Sequence, residues 1–517
     1  MYKLGIDVGG TNTDAVLIDE NLNVVASIKQ HTTSDVYSGI MNAIHVVLEQ
    51  SGVDRSEIGQ AMLGTTHCTN AIVERKNLAP IGVMRIGAPA SRGIPVMVDW
   101  AEDLKAVAVK TAIVGGGFEY DGKEIAPFDV AAATAFFEEL KAQGVKSVAI
   151  SCVFSTVRND HELEAAKLCK EVMGEDVHVS ISSEIGSMGL IERENATILN
   201  AALYKVAESF TEGFAQSLAD EGVTNAQIYL SQNDGTLMTM EYARRYPILT
   251  IACGPTNSIR GASYLSQLKN AIVIDVGGTT TDLGVIQNGF PRESGVAVTI
   301  GGVRTNFRMP DVVSIGLGGG SIVRQKEDGT VTVGPDSVGY QITEKALCFG
   351  GDVCTATDIA VRLGMTDLGD KALVAEIDEE FAKKAMDAIR ALCEDAIDAM
   401  KVSSDDVDVI LVGGGSIVLP EDLAGAKSVT KHEHGGVANA IGSAISKVSG
   451  TYEQLIDYNE IPRDEALAKA RADAIELAVA AGAIRETVEI IDAEDVPLQY
   501  YPGNTARVKI KAAGDLA

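Results

Sequence analysis

The sequence predicts a two-lobed α/β protein followed by a small α/β extension. A stretch near the N-terminus, LGIDVGGTNTDAVLID at residues 4–19, recurs in the second half as IVIDVGGTTTDLGVI at residues 272–286. Segments with helical spacing alternate with short apolar runs, which predicts parallel strands covered by helices. The 517 residues are too many for one hydrophobic core, and 52 glycines with 5% aromatic residues suit an α/β protein rich in tight turns.

The repeated stretch has the pattern of strand, glycine turn and strand in both copies. Glycines let the backbone approach a bulky anion, and the N–H groups and threonine hydroxyls of such a turn can hold phosphate oxygens. One copy alone is also compatible with a purely structural turn, whereas two copies favour a phosphate site. The predicted phosphate-binding residues are Gly9, Gly10, Thr11, Asn12 and Thr13 in the first copy and Gly277, Gly278, Thr279, Thr280 and Thr281 in the second.

Four carboxylates occupy matching places in the two copies. Asp7 and Asp275 each end an apolar strand just before the glycine pair, where they are the predicted ligands of hydrated Mg²⁺, a cation that prefers oxygen. Asp14 and Asp282 follow the turns and are expected to orient the turn or a water molecule. These four are the predicted catalytic residues. The pattern is neither a Walker A loop nor a Rossmann fingerprint.

Two more glycine turns follow apolar segments. VDVILVGGGSIVLP at 407–420 predicts a strand that runs into Gly413, Gly414 and Gly415, with Ser416 next. GGGSIV recurs at 318–323, where Gly318 and Gly319 suit either a phosphate or substrate contact or a plain turn.

Two facing phosphate hairpins resemble those of the actin, sugar-kinase and Hsp70 superfamily. The resemblance implies a two-lobed, ribonuclease H-like ATPase fold that binds ATP and Mg²⁺ between its lobes. It further implies an adenosine loop at 413–415, a first connecting helix within 191–210 and a closing small-residue helix at 435–446. The expected division is a first lobe at 1–200, a second lobe at 201–450 and the extension at 451–517.

Within that superfamily the chain resembles the hydantoinase/oxoprolinase family, in its A-type, ATP-binding subunit. The similar stretches lie between residue 1 and about 450 and include GTTHCTNAIVERK, SSEIGSMGLIERENATILNAAL and SQNDGTLMTMEYARRYPILTIACGPTNSIRGA. The resemblance implies an enzyme that uses ATP to phosphorylate and so open a cyclic amide such as a hydantoin or 5-oxoproline. The candidate substrate residues are Thr65, Thr66, His67 and Asn70 in the first of these stretches, together with Asp311.

The chain departs from the family pattern in two places. Val313 stands where the family often has a histidine two residues after Asp311, so a second, transition-metal site is not carried over. VGPDSVGYQITEKALCFGG replaces an Asp-Pro-Gly-Pro segment, so the lactam pocket is not carried over either. Other activities therefore stay open: a small-molecule kinase, an ATPase subunit of a ketone carboxylase, and a non-catalytic ATP-driven activator or switch.

Composition restricts the partners. The net charge of −29 argues against nucleic acid or an anionic membrane, because both would repel the chain. Seven cysteines without a disulfide-framework spacing, and an N-terminus without a signal peptide, lead us to expect a cytoplasmic protein. A small-molecule substrate, a separate B-type subunit and a homo- or hetero-oligomer are the expected partners.

Overall fold

The computed structural model describes residues 1–10, 12–32, 36–294, 297–307, 309–498 and 503–516. Thr11, one of the predicted phosphate-binding residues, lies outside the described residues. Within the described ranges, every helix is too short or too polar to cross a lipid bilayer.

The strands of the described residues fall into five sheets. Their bounds are β1 Tyr2–Val8, β2 Asn12–Ile18, β3 Val24–His31, β4 Ile58–Thr65, β5 Ile81–Ala88, β6 Ala108–Gly115, β7 Ser147–Cys152, β8 His178–Ile181, β9 Gln227–Ser231, β10 Leu237–Thr239, β11 Ala271–Val276, β12 Thr281–Gln287, β13 Phe290–Pro291, β14 Val298–Ile300, β15 Val303–Thr305, β16 Val312–Ile315, β17 Ser321–Gln325, β18 Val331–Ser337, β19 Val407–Val412, β20 Ala426–Lys431, β21 Val448–Asp457, β22 Glu489–Pro497 and β23 Thr505–Gly514.

In the described part of the chain, the helices stand between these strands in chain order. Their bounds are α1 Val36–Ser51, α2 His67–Glu74, α3 Glu102–Lys105, α4 Val130–Ala142, α5 Asp160–Met173, α6 Leu190–Ala202, α7 Tyr204–Asp220, α8 Met240–Arg245, α9 Cys253–Ser266, α10 Ile342–Lys345, α11 Ala356–Arg362, α12 Glu379–Met400, α13 Ala438–Ile445 and α14 Arg463–Ala480.

The largest sheet has nine strands in the order β22-β23-β21-β10-β9-β4-β1-β2-β3. β1 and β2 form the first predicted hairpin, an antiparallel pair in which Asp7 lies opposite Asp14. β4 runs parallel to β1 on its other side. From Leu4 onward β1 is buried, as expected for a central strand with both faces covered. The sheet thus presents the first hairpin turn at the end of a strand that is buried from Leu4 onward.

This sheet includes two segments that the sequence assigns elsewhere. β9 and β10 fall in the expected second lobe, yet β9 continues the parallel ladder on β4. β21 to β23 were expected mainly in a separate extension, yet β21 joins β10 where Leu237 lies opposite Val448. Hydrogen bonding between strands distant in sequence produces both differences. The lobe boundaries at 200 and 450 remain a prediction, and they do not follow the sheets.

A second sheet carries the second hairpin. Its strands run β13-β12-β11-β19-β20, with β16 also paired to β12. β11 and β12 are antiparallel, and Asp275 lies opposite Asp282. β19 is parallel to β11, with Val412 opposite Asp275. Because Gly413 follows Val412 directly, the strand order places the 413–415 turn beside the second hairpin.

A third sheet has the parallel order β6-β5-β7-β8 and its own core with α4 and α5. The β/α alternation expected from the sequence is therefore present here. A buried ion pair fixes this sheet to α6: Arg85 Nη2 lies 2.5 Å from the Glu194 carboxylate, and both side chains are at most 1% exposed. Ser151 on β7 donates a further hydrogen bond to Glu194 at 2.7 Å.

Helices α9 and α13 cross in direct backbone contact. A Cβ atom at Gly442 would lie 1.8 Å from the carbonyl oxygen of Asn257, and one at Gly261 would lie 1.9 Å from that of Ala438. The helix in contact with the small-residue helix is thus α9, and the assignment of residues 191–210 as the first connecting helix stays a prediction. Those residues form α6 and α7, which pack in the main core of the large sheet. One glycine on each helix, Gly261 on α9 and Gly442 on α13, lets the two backbones come this close.

Candidate active site between the hairpins

Both hairpin turns open onto one cleft of about 440 Å³. It is lined by residues of the two hairpins, of the 413–415 turn and of the segment that leads into α13. The structure therefore brings together residues that lie far apart in the chain, as the repeat predicts. Four apolar side chains that the sequence did not single out form part of its wall: Ile342, Phe349, Leu368 and Ile417.

Asp7 lies at the bottom of the first hairpin and is 3% exposed. Asn257 Nδ2 donates to its Oδ1 at 3.0 Å, and Asn439 Nδ2 donates to its Oδ2 at 3.1 Å. Burial raises the pKa of Asp7 to about 6, although the two amide donors oppose that rise. The carboxylate is thus held in place by neutral donors from α9 and α13.

Asp14 has a different environment from Asp7. Lys29 Nζ lies 2.7 Å from both carboxylate oxygens, and Asn439 Nδ2 donates to Oδ2 at 2.7 Å. Burial raises the pKa of Asp14, and the Lys29 ammonium opposes that rise. Lys29 also donates to the carbonyl oxygen of Gly436 at 2.9 Å, so it joins β3 to the segment before α13. Among the described residues, Lys29 is the one cationic side chain that lines the cleft.

The acids of the second hairpin are held by hydroxyl groups. Ser258 Oγ donates to Asp275 Oδ2 at 2.5 Å, and the Ser314 hydroxyl donates to Asp282. Burial raises the pKa of Asp275, and it raises that of Asp282 to about 6. All four predicted acids therefore lie in or beneath the cleft, each with a different set of partners.

The two turns share one backbone hydrogen bond. Gly9 N–H donates to Asn12 O at 2.9 Å, and Gly277 N–H donates to Thr280 O at 2.9 Å. A Cβ atom at Gly10 or Gly278 would meet no atom within 4 Å, so both glycines face open space. The exposed residues Thr279 and Thr280 line the cleft together with Gly9, Gly10, Asn12, Gly277 and Gly278.

Two threonines do not fulfil the prediction. Thr13 is 1% exposed and its hydroxyl bonds the Thr32 hydroxyl at 3.2 Å. Thr281 is fully buried and its hydroxyl donates to Leu317 O at 2.7 Å. Side chains alternate along a strand, so Asn12 and Asp14 point to the cleft while Thr13 points away. The expectation that these two hydroxyls hold phosphate is therefore wrong.

The glycine turns at 413–415 and 318–320 both pack against the second hairpin. Gly413 has a φ of +84°. A Cβ atom there would lie 2.3 Å from Asp275 Oδ1. Gly413, Gly414 and Gly415 line the cleft, as does Gly319, whereas Gly318 packs against the backbone of Gly278. Ser416 begins a short 3₁₀ turn, and its N–H donates to Gly413 O at 3.2 Å.

The polar turn after β4 lies next to the first hairpin. Thr65 is opposite Val8, and Thr66 N–H donates to Val8 O at 3.2 Å. The Thr65 hydroxyl contacts the His67 ring, whose pKa is lowered by burial, and Asn70 Nδ2 donates to the Thr66 hydroxyl at 3.4 Å. Of the described residues that line the cleft, none comes from this turn. Their role toward a substrate stays a prediction.

Asp311 has a structural partner instead of a place in the cleft. Its carboxylate lies 2.6 Å from Arg292 Nη2 and accepts a hydrogen bond from Arg292 Nε at 2.8 Å. Val313 lies opposite Leu283 on β12. The Asp311 carboxylate is thus paired with Arg292 outside the residues that line the cleft, and its expected contact with a substrate stays a prediction.

The residues around the cleft fit a nucleotide that carries Mg²⁺. Carboxylate oxygens are the ligands this hard cation prefers, and three carboxylates, Asp14, Asp275 and Asp282, line the cleft with Lys29. Asp7 does not line the cleft itself and is joined to it through Asn439. Asn257 Oδ1 is buried beside Asp7 and has no donor among the described residues, which suits a water of a hydrated ion. The open backbone N–H turns suit phosphate oxygens, and the apolar wall suits a planar base.

The sheets and the paired hairpins define an α/β protein in which two glycine turns from different sheets face one cleft. Residues 3–173 match the hydantoinase/oxoprolinase N-terminal region, and residues 193–367 match the hydantoinase/oxoprolinase domain. The chain belongs to the hydantoinase/oxoprolinase family, which confirms the family predicted from the sequence.

Three known proteins illustrate the relationship. The caprolactamase subunit alpha of Pseudomonas jessenii is 27% identical over 417 residues, which are 75% of this chain and 58% of that subunit. The crystal structure of the ATP-dependent caprolactamase of the same organism has a TM-score of 0.80 at 20% identity, covering 99% of this chain and 87% of that one. The nucleotide-free structure of an acetone carboxylase, an enzyme of ATP-dependent acetone carboxylation, has a TM-score of 0.68 at 17% identity, covering 99% and 88%. These likenesses confirm the predicted fold class, while the aligned chain spans only 58% of the curated caprolactamase subunit.

Proposed function

We propose that the chain is an ATP-hydrolysing subunit that activates a cyclic amide for ring opening. The observation that carries this proposal is the convergence of two equivalent hairpins, each with two acids, on one cleft. Such a site can bind the phosphates of a nucleoside triphosphate between the two hairpin turns. The amide is proposed as the substrate because the chain resembles a caprolactamase subunit over most of its length.

Each part of the cleft has a proposed task. Asp7 and Asp275 hold hydrated Mg²⁺ from the two sides, and the backbone N–H groups of the two glycine turns hold phosphate oxygens. Thr279 and Thr280 add hydroxyl donors at the second turn. Lys29 keeps Asp14 paired, so that the phosphates meet one fewer uncompensated negative charge. The 413–415 turn and the apolar wall receive the nucleoside.

The proposed use of ATP overcomes the low reactivity of the amide carbon. An unstrained amide is a poor electrophile; ATP, when bound, supplies a phosphoryl group that makes the amide oxygen part of a leaving group. The contribution of the chain is to align the amide oxygen with the phosphates and to neutralise negative charge during transfer. Asp14 and Asp282, fixed by Lys29 and Ser314, orient the turns or a water molecule.

Three other activities are alternatives that the product analysis described below can distinguish. In the first, the chain is an ATPase subunit of a ketone carboxylase and its substrate is a ketone; the likeness to the acetone carboxylase fold is the reason to consider it. A small-molecule kinase would use the same cleft and release a phosphorylated product. A non-catalytic switch would use the α9/α13 crossing as a hinge. Because the caprolactamase relative is named a subunit, we propose that a separate B-type subunit completes hydrolysis.

Calorimetry with ATP and Mg²⁺ tests the nucleotide site first. Wild type is expected to bind and Asp275→Ala to lose affinity, whereas Asp336→Ala, which removes a carboxylate from an exposed ion pair with Arg324, should bind as wild type does. No binding by wild type at millimolar ATP would contradict the proposal.

Product analysis then separates the activities. Lactams, hydantoins and ketones are incubated with ATP, with and without a candidate B-type subunit, and ADP release is measured with the organic product. A ring-opened acid with phosphate supports the proposal. A stable phosphorylated metabolite indicates a kinase, a carboxylated ketone indicates a carboxylase subunit, and ADP release without any organic product indicates a switch.

A further inference from the structure

Two neighbouring residues of α9 contact acids that belong to different sheets. Asn257 Nδ2 donates to Asp7 Oδ1 at 3.0 Å, and Ser258 Oγ donates to Asp275 Oδ2 at 2.5 Å. Asn257 is 0% exposed and Ser258 is 2% exposed. The hairpins that carry these two acids are far apart in the chain, and one turn of one helix lies between them.

The geometry of a helix explains how adjacent residues reach opposite sides. Successive side chains on an α-helix point about 100° apart, because one turn takes about 3.6 residues. α9 lies between the two hairpins, so Asn257 points to the first and Ser258 to the second. The distance between the two donors is fixed by a single peptide unit. The positions of Asp7 and Asp275 therefore both depend on the position of α9.

The position of that helix is itself tightly constrained. The carbonyl group of Asn257 packs against Gly442 of α13, where any Cβ atom would overlap it. α13 also contributes Asn439, whose Nδ2 donates to Asp7 and to Asp14. The crossing of α9 and α13 thus sets where Asn257 and Ser258 lie, and these residues set where the acids lie.

We infer that Asn257 and Ser258 are positioning residues that fix the separation and orientation of Asp7 and Asp275 across the cleft. This inference rests on the proposed function, in which the two acids act on one Mg²⁺-bearing nucleotide. It assigns no chemical step to the two residues, which act through the acids they hold.

The two residues should not contribute equally. Asp7 keeps a second donor, Asn439, when Asn257 is removed. Among the described residues, Ser258 is the one hydrogen-bond donor to the Asp275 carboxylate. Removal of the Ser258 hydroxyl should therefore have the larger effect on its acid.

Double-mutant cycles test the inference by steady-state ATPase kinetics with Mg²⁺. A hydrogen bond to a charged group is strong enough that Asn257→Ala and Ser258→Ala should each lower kcat by about tenfold or more. Asn257→Ala should have no further effect in an Asp7→Asn background and its full effect in an Asp275→Asn background. Ser258→Ala should show the reverse pattern. Losses that simply multiply in every background would overturn the inference.

Matched variants separate the hydroxyl from its volume and from helix stability. Ser258→Thr keeps the hydroxyl and Ser258→Val replaces it by a methyl group of similar size, so kcat should be retained far better by threonine. Ser263→Ala removes another serine hydroxyl of α9, which donates to Leu268 O at 2.7 Å, and should leave kcat and KM unchanged. These comparisons hold even where Ser258→Ala folds poorly.

The outcomes distinguish the inference from the proposed function. If wild type neither binds nor hydrolyses ATP, the proposed function fails. If wild type is active and the Asn257 and Ser258 variants differ from it only in thermal midpoint, with kcat and KM unchanged, their role is structural and the inference alone is wrong.

Discussion

Alanine at Gly442 should disturb the site more than it disturbs the fold. The added Cβ atom would lie 1.8 Å from Asn257 O and 2.8 Å from Gly261 N, whereas ordinary contact begins at 3.4 Å. The helices must therefore separate by about 1.6 Å at the crossing. Overpacking of this kind costs about 1–3 kcal/mol, and the better helix propensity of alanine offsets about 1 kcal/mol of that loss.

The effect on activity should be much larger. The shift displaces Asn257, whose amide holds Asp7 at 3.0 Å. A misplacement of about 1 Å in a catalytic arrangement can cost about a hundredfold in rate. We therefore expect Gly442→Ala to lower the ATPase kcat by about that factor, with only a modest decrease in the midpoint of thermal unfolding.

A second helical glycine provides the control. Gly213 lies within α7, and a Cβ atom there would meet no atom within 4 Å. Gly213→Ala should keep the wild-type kcat and unfold at the same or a higher temperature. Thermal unfolding and steady-state ATPase rates are measured on both variants. A Gly442→Ala protein with the wild-type rate would refute the idea that the crossing sets the position of the acids.

Three further predictions concern the cleft. Asp7→Asn should lower kcat with little change in the KM for ATP, whereas Asp275→Asn should also raise that KM; equal losses of kcat with unchanged KM in steady-state assays would contradict this difference. Gly413→Ala should lower the affinity for Mg²⁺–ATP measured by calorimetry, because φ is +84° and the new Cβ atom would lie 2.3 Å from Asp275 Oδ1. Gly425→Ala is the control and should keep the wild-type affinity, since its φ is similar at +82° but its new Cβ atom would lie 3.5 Å from the nearest atom. Burial raises the pKa of Asp7 from 3.8 to about 6, so its protonation adds stability that is present below the unfolded pKa and is lost as the pH rises through about 6. The thermal midpoint of metal-free wild type should therefore fall more steeply between pH 4 and 7 than that of Asp7→Asn, and parallel curves would show that Asp7 does not titrate in this range.

The parts of the site that the sequence predicted are those with a local signal. The duplicated stretch indicated both hairpins, and the structure places Asp7 opposite Asp14 and Asp275 opposite Asp282. The glycines at 413–415 were predicted from a strand that ends in three glycines, and the parallel pairing of β19 with β11 brings them to the cleft. In each case a few consecutive residues carried both the backbone geometry and the chemistry.

The parts that the sequence missed depend on packing between distant segments. Lys29, Asn257, Ser258 and Asn439 stand in an edge strand and two helices, and nothing in their own neighbourhoods shows that they meet a carboxylate. Thr13 is a different case, because the alternation of a strand already places it on the face opposite to Asn12 and Asp14. Counting faces along the hairpin would have excluded it.

The repeat makes the two hairpins alike, but their surroundings make them chemically different. Asp7 is held by two neutral amides, Asp14 by an ammonium group, and Asp275 and Asp282 each by a hydroxyl. None of these partners belongs to the repeated stretch. Lys29 on β3 and Ser314 on β16 lie opposite Asp14 and Asp282 in equivalent strand pairs, so the difference between these two acids comes from different residues at a matched position. Lys29, the one cationic side chain among the described residues that line the cleft, neutralises an acid of the first hairpin, whereas the glycine turn and the apolar wall adjoin the second. A nucleotide bound between them would meet most of its nucleoside contacts on the second side, and this is the physical reason to expect ground-state affinity to depend more on Asp275 than on Asp7.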